Sequence, residues 1–107
     1  MNISVVIPTF NEKESIRDLY LEICDAVSGN SNWEIIFVDD GSSDGSKGEI
    51  ERIISKDSKV KLISFYRNFG KSAALSEGFK HSRGNIIITM DGAVSYTHLT
   101  LPTICSV

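Results

Sequence analysis

Glu34-Ile35-Ile36-Phe37-Val38-Asp39-Asp40-Gly41-Ser42-Ser43-Asp44-Gly45 is the stretch on which the fold turns. A short apolar run stops at two carboxylates, and a glycine- and serine-rich loop with a third carboxylate follows. Apolar runs of this length that end in polar loops read as buried strands. In an open α/β sheet, ligands gather outside the carboxyl ends of parallel strands. Acidic side chains placed there accept hydrogen bonds from a base or ribose, or help hold a metal-bound diphosphate. The stretch therefore points to a nucleotide or nucleotide-sugar site.

The flanking sequence repeats this arrangement. Ile3-Ser4-Val5-Val6-Ile7, closed by Pro8, predicts a first strand. Asn11 with Glu14 three residues on has capping-box spacing, and Ile16, Leu19, Tyr20, Ile23, Cys24 and Val27 follow at helical intervals up to Gly29. Trp33 to Val38 is the second strand. Ser46 and Glu49 repeat the capping-box spacing ahead of Ile50, Ile53 and Ile54. Val60 to Phe65 predicts a third strand, and Gly70 to Ser82 a third helix for which Gly84 is the expected stop. Asn85 to Met90 predicts a fourth strand that again ends in a carboxylate, Asp91. Strand and helix alternate throughout, so the sequence predicts an α/β fold with a parallel sheet covered by helices.

Composition narrows the function. A chain of 107 residues with 41% hydrophobic and 23% charged residues has room for one domain with a moderate core. The net charge of -3, with Lys and Arg scattered, leaves no nucleic-acid footprint. Cys24 and Cys105 show neither metal-ligand spacing nor a disulfide framework, which fits a reducing compartment. No apolar run approaches the roughly 20 residues of a membrane span, and the start lacks the features of a signal peptide. As written, the chain is expected to be cytoplasmic.

After Gly92 the character changes, because Ala93 to Val107 carries no acidic or basic side chain and no clear period. Val94 to Thr103 resembles the translation of a transposase adapter used in sequencing libraries, with Ile104-Cys105-Ser106 in the place of a sample index. The expected division is therefore 1–92 as a truncated half-domain and 93–107 as a non-native tail, set aside in reading the fold. His98 and Cys105 drop out as site candidates. The fourth strand is then expected to lie at an unpaired, apolar edge.

Four segments in order carry a resemblance: Val6-Ile7-Pro8-Thr9-Phe10-Asn11-Glu12, Val38 to Gly45, Arg67-Asn68-Phe69-Gly70-Lys71 and Ile88-Thr89-Met90-Asp91-Gly92. Together they resemble family 2 glycosyltransferases of the GT-A fold, and most of all the polyprenyl-phosphate branch with its dolichyl- and undecaprenyl-phosphate sugar transferases. The resemblance implies a Rossmann-like parallel sheet with helices on both faces, the N-terminal nucleotide-binding half of a GT-A fold. It implies that Pro8, Phe10 and Glu12 line the nucleotide pocket, although Phe10 also suits a hydrophobic staple and Glu12 a first-turn carboxylate. Asp39 and Asp40 correspond to the acidic pair at the base or ribose. Side chains alternate along a strand, so only one of the two is expected to face the cleft easily, and Asp40 is favoured. Asp44 is equally a turn former or helix cap.

Arg67 and Lys71 suit a diphosphate or lipid phosphate, or else a solvated face, with Lys71 preferred. Asp91 resembles the first carboxylate of the DxD-type motif that holds Mg²⁺ or Mn²⁺, and Ala93 stands where the second is expected. The implied partners are a UDP- or GDP-sugar and, for the intact parent at the cytoplasmic face of the membrane, a polyprenyl phosphate. The catalytic residues would belong to an acceptor half that the resemblance does not reach, so a chain of this extent is expected to be inactive. The competing reading is a receiver-like binding or signalling module. Its acidic pair normally follows the first strand, however, whereas Asp39 and Asp40 follow the second. A dinucleotide-binding module lacks its G-x-G-x-x-G.

Overall fold

The β-branched runs extend and the amphipathic segments coil, as their periods require. In a computed structural model that describes residues 2–27, 32–84, 86–89 and 104–106, the order is β1 (Asn2–Thr9), α1 (Lys13–Val27), β2 (Asn32–Asp39), α2 (Ser46–Lys56), β3 (Val60–Ser64), α3 (Lys71–His81), β4 (Ile86–Thr89) and β5 (Ile104–Ser106). The sheet runs β3-β2-β1-β4-β5. Its first four strands are parallel, with Val5 level with Ile35 and Ile88.

Alternation along the strands sorts side chains into two layers. Val5, Ile7, Ile35, Phe37, Val60 and Ile88 face Ile16, Leu19 and Ile23 of α1 and Ile50 and Ile53 of α2. Val6, Ile36, Val38 and Ile87 face Ala74 of α3 on the other side. This is the α/β, Rossmann-like sheet with helices on both faces. Each fully buried Ile or Phe contributes about 1.5–3 kcal/mol relative to exposure, so the central strands carry the stability. Gly78 lets α3 approach closely, since a Cβ there would run into Val6 and meet Val38 Cγ2 at 3.4 Å. The Tyr20 hydroxyl donates to Asp57 at 2.6 Å and ties α1 to the end of α2. Cys24 is a free, half-buried thiol whose pKa burial pushes up, which favours the inert form.

Three local expectations change. Neither capping box forms. Asn11 sits in the left-handed region at φ 52 and spends its side chain on the Ser43 amide. The cap position of α2 is Gly45, at φ 95, rather than Ser46. Gly84 does not stop α3, which passes into Ser82. Instead Gly84 lies so close to β1 that a Cβ would meet the Ser4 amide nitrogen at 2.7 Å. Nor is β4 an edge, because β5 pairs with it antiparallel, Ile87 opposite Cys105. An apolar strand with unpaired amides and carbonyls accepts any extended backbone, whatever its side chains. Gly29, Asn85, Met90, Asp91 and residues 92–103 lie outside the described residues.

Candidate functional site

The crossover after β1 packs on one face and α3 on the other, so a crevice opens at the carboxyl end of β1, where such sheets bind ligands. A cleft of about 260 Å³ lies there, lined by Pro8, Thr9, Phe10, Glu12, Asp40, Asn68, Gly70 and Lys71. Five of the six residues expected for nucleotide-sugar binding are thus brought together: Pro8, Phe10, Glu12, Asp40 and Lys71.

The sixth, Asp39, is turned away. As the last residue of β2 it is buried, and its carboxylate accepts from the Ser42 hydroxyl. Asp40, the next residue, points the opposite way, as strand alternation demands. Its two oxygens accept the Phe69 amide at 2.7 Å and the Gly70 amide at 3.0 Å. These are charge-assisted bonds at the entry of α3, where a negative charge is favoured. Asp40 therefore seats the Arg67–Lys71 segment as well as lining the cleft. Gly41, at φ 78, completes that seat, since a Cβ there would meet Asn68 N at 2.6 Å.

The opposite wall is the β1–α1 loop. Phe10 is exposed, and its amide donates to Glu12 Oε1 at 2.9 Å. Phe10 and Glu12 thus bring an aromatic ring and a carboxylate to the same wall of the cleft. Asp44 accepts from the Ser46 hydroxyl and amide and, across the loops, from the Lys13 amide at 3.1 Å. The Ser46 bond leads in holding the Asp44 pKa below the usual carboxylate range, partly offset by desolvation. Asp44 is therefore a turn former and a helix cap at once. Arg67 does not line the cleft; its guanidinium stacks 4.7 Å from Phe69 and 5.5 Å from Tyr66.

Thr9 and Asn68 also line the cleft; beyond standing inside the quoted motifs, neither carries a signal in the sequence that marks it as a ligand residue. Asp91 lies outside the described residues. Among the described residues, no group of three His, Cys, Asp or Glu side chains comes together to hold a metal, so no cleft residue is assigned to one. No described helix is long and apolar enough to cross a membrane.

A parallel α/β sheet with a polar and aromatic cleft at the end of its first strand defines a Rossmann-like class, and known proteins narrow it. The sequence model of glycosyl transferase family 2 matches residues 4–104. The chain belongs to that family.

Among relatives, it is 33% identical over 108 residues to a dodecaprenyl-phosphate galacturonate synthase of Rhizobium johnstonii, covering 99% of this chain and 32% of that one. It is 42% identical over 91 residues to an undecaprenyl-phosphate 4-deoxy-4-formamido-L-arabinose transferase of Salmonella choleraesuis, covering 83% and 28%. A Pyrobaculum calidifontis mannosyltransferase solved with GDP-Man and Mn²⁺ superposes with a TM-score of 0.78 at 25% identity, over 85% of this chain and 27% of that one. The fold is that of GT-A glycosyltransferases. The chain spans about 30% of the length of these relatives. The receiver-like alternative does not survive the family assignment.

Proposed function

We propose that this chain is the donor-binding part of an inverting glycosyltransferase that passes a sugar from a UDP- or GDP-sugar to a polyprenyl phosphate of the undecaprenyl or dolichyl kind. The observation that carries the proposal is the convergence of Phe10, Glu12, Asp40 and Lys71 on one cleft at the carboxyl end of β1. Whole small-molecule sites run to about 300–1,000 Å³. A cleft of about 260 Å³ suits the base and ribose, with the diphosphate and sugar reaching beyond it.

In this reading Phe10 packs on the base and Glu12 and Asp40 accept from base or ribose. Lys71, the first residue of α3, faces the negative charge of the diphosphate. In the whole protein, an oxygen of the lipid phosphate attacks the anomeric carbon from the face opposite the diphosphate. The bond from that carbon to the diphosphate oxygen breaks, the nucleoside diphosphate departs, and the configuration inverts. A Mg²⁺ or Mn²⁺ ion, with Asp91 as a ligand, would supply Lewis-acid stabilisation of the leaving diphosphate when bound. Residues 93–107 are proposed as a tail foreign to this half-domain, which reading the gene past codon 92 checks. The parent is proposed to work at the cytoplasmic face of a membrane, where its lipid acceptor lies.

Calorimetric titration with UDP and with GDP tests the donor reading. Saturable binding of one of them, weakened about tenfold or more by Phe10→Ala through lost stacking, is expected. A wild-type chain that binds neither sinks it.

A further inference from the structure

Three successive backbone N–H groups at the entry of α1 are taken up by side chains of the next loop rather than by residues of their own segment. Asn11 N donates to Ser42 Oγ at 2.8 Å, Glu12 N to Ser46 Oγ at 3.0 Å and Lys13 N to Asp44 Oδ2 at 3.1 Å. The Ser43 amide returns a bond to Asn11 Oδ1 at 2.8 Å. A helix start leaves such donors orphaned, and a local cap normally satisfies them. Here the cap comes from a segment about thirty residues away, so it joins two loops as well as closing a helix.

Of these acceptors Ser46 alone is wholly buried, at 0% exposure. Its hydroxyl caps no amide of its own helix, whose cap position is Gly45. It donates to Asp44 and accepts from Glu12 N. The chain of bonds then runs outward, because Glu12 Oε1 accepts from Phe10 N. Ser46 therefore sits one hydrogen bond behind Glu12 and two behind Phe10, the two residues of the β1–α1 wall, without lining the cleft. The opposite wall is held from the same loop, through Asp40 and Gly41. The segment from Asp40 to Ser46 thus fixes the distance between the two walls.

We infer that Ser46, with Ser42 beside it, is a positioning residue that sets Phe10 and Glu12 against Asp40 and Lys71 for the donor nucleotide. The inference rests on the donor reading above and adds residues that lie outside the cleft. Losing one such hydrogen bond corresponds to about a tenfold change in a local equilibrium.

The test uses the full chain as wild type and as Ser46→Ala, Ser46→Thr, Ser42→Ala and, as a control, Ser55→Ala, whose hydroxyl serves only the Arg52 carbonyl of its own helix. Thermal melts, amide exchange at Phe10 to Lys13 and titration with UDP and GDP are measured. Ser46→Ala is expected to speed exchange at Glu12 and weaken nucleotide binding by about tenfold. Ser46→Thr keeps the hydroxyl and should restore most of the affinity, and Ser55→Ala should change nothing.

Faster exchange with unchanged affinity, or equal weakening by Ala and Thr, overturns the inference. If Ser46→Ala fails to fold, Ser42→Ala at the partly exposed rim decides: weaker binding supports the inference and unchanged binding overturns it. A wild type that binds neither nucleotide overturns both the donor reading and the positioning role. Loss of affinity confined to the variants distinguishes the two.

Discussion

Both ends of the sheet carry a carboxylate that gathers neighbouring loops, and only one of them faces a candidate site. At the carboxyl end, Asp40 accepts two main-chain amides and borders the cleft with Phe10 and Lys71. At the amino end, Glu34 of β2 accepts from Ser4 Oγ at 2.6 Å, Lys61 Nζ at 2.8 Å and the Arg83 amide at 2.7 Å. Ser4 in turn accepts the Gly84 amide at 2.8 Å. That staple joins β1, β2, β3 and the approach to β4.

The cavity beside Glu34 is the larger of the two, about 390 Å³ against about 260 Å³. It is nevertheless the less suited to a ligand, because a lysine already faces its carboxylate and it lies at the amino ends of the strands, away from where such sheets bind ligands. The comparison teaches that cavity size and a half-buried acid do not make this site. The topology does, by bringing three loops to the carboxyl ends of the strands.

The comparison can be broken most severely through the scaffold that both ends share. Gly78→Val drives a side chain into Val6 and Val38 beneath α3. It should cost about 3 kcal/mol through overpacking, read as a lower denaturation midpoint, and should weaken both ends together. Next in size, Asp40→Ala strands the Phe69 and Gly70 amides and should cost about 2–3 kcal/mol. It should also remove nucleotide binding from the molecules that remain folded.

Glu34→Gln sharpens the contrast, with a cost of about 1–2 kcal/mol at neutral pH and no loss of nucleotide affinity. Burial pushes the Glu34 pKa up, but the bonds from Lys61, Ser4 and Arg83 together outweigh it, and the net shift is downward. A depressed folded pKa stabilises the protein above the unfolded value, and that stability is lost as pH falls through the folded value. The gap between wild type and Glu34→Gln should therefore be full near neutrality and close on acidification. An unchanging gap across the acid range would contradict the staple. Smallest is Lys59→Ala, which removes a cation 4.7 Å from the Trp33 ring and should cost about 0.5 kcal/mol, with donor binding untouched. Trp33 is the single tryptophan and lines the amino-end cavity, so its fluorescence should report unfolding and stay silent on nucleotide.

Much of this contrast was legible in the sequence. The strands of Ile and Val and their alternation with helices follow from period alone, and the grouping of Pro8, Phe10, Glu12, Asp40 and Lys71 follows from the family resemblance. Strand alternation also implied that only one of Asp39 and Asp40 would face the cleft. What could not be read was which partner each polar group takes. Asn11 and Ser46 have the spacing of local caps, yet both spend their side chains across loops about thirty residues apart in sequence. Local spacing carries no signal for a bond made by tertiary packing. Glu34 looked like an ordinary strand residue, because its three partners come from β1, β3 and the segment before β4.

The most direct test of the central claim is an amide chemical-shift titration of the chain with UDP and with GDP. The account predicts saturable shifts for Phe10, Glu12, Asn68 and Lys71 with one of them, while Trp33, Lys59 and Arg83 stay in place. Shifts that cluster around Trp33 and Glu34, or none at any concentration, would contradict it.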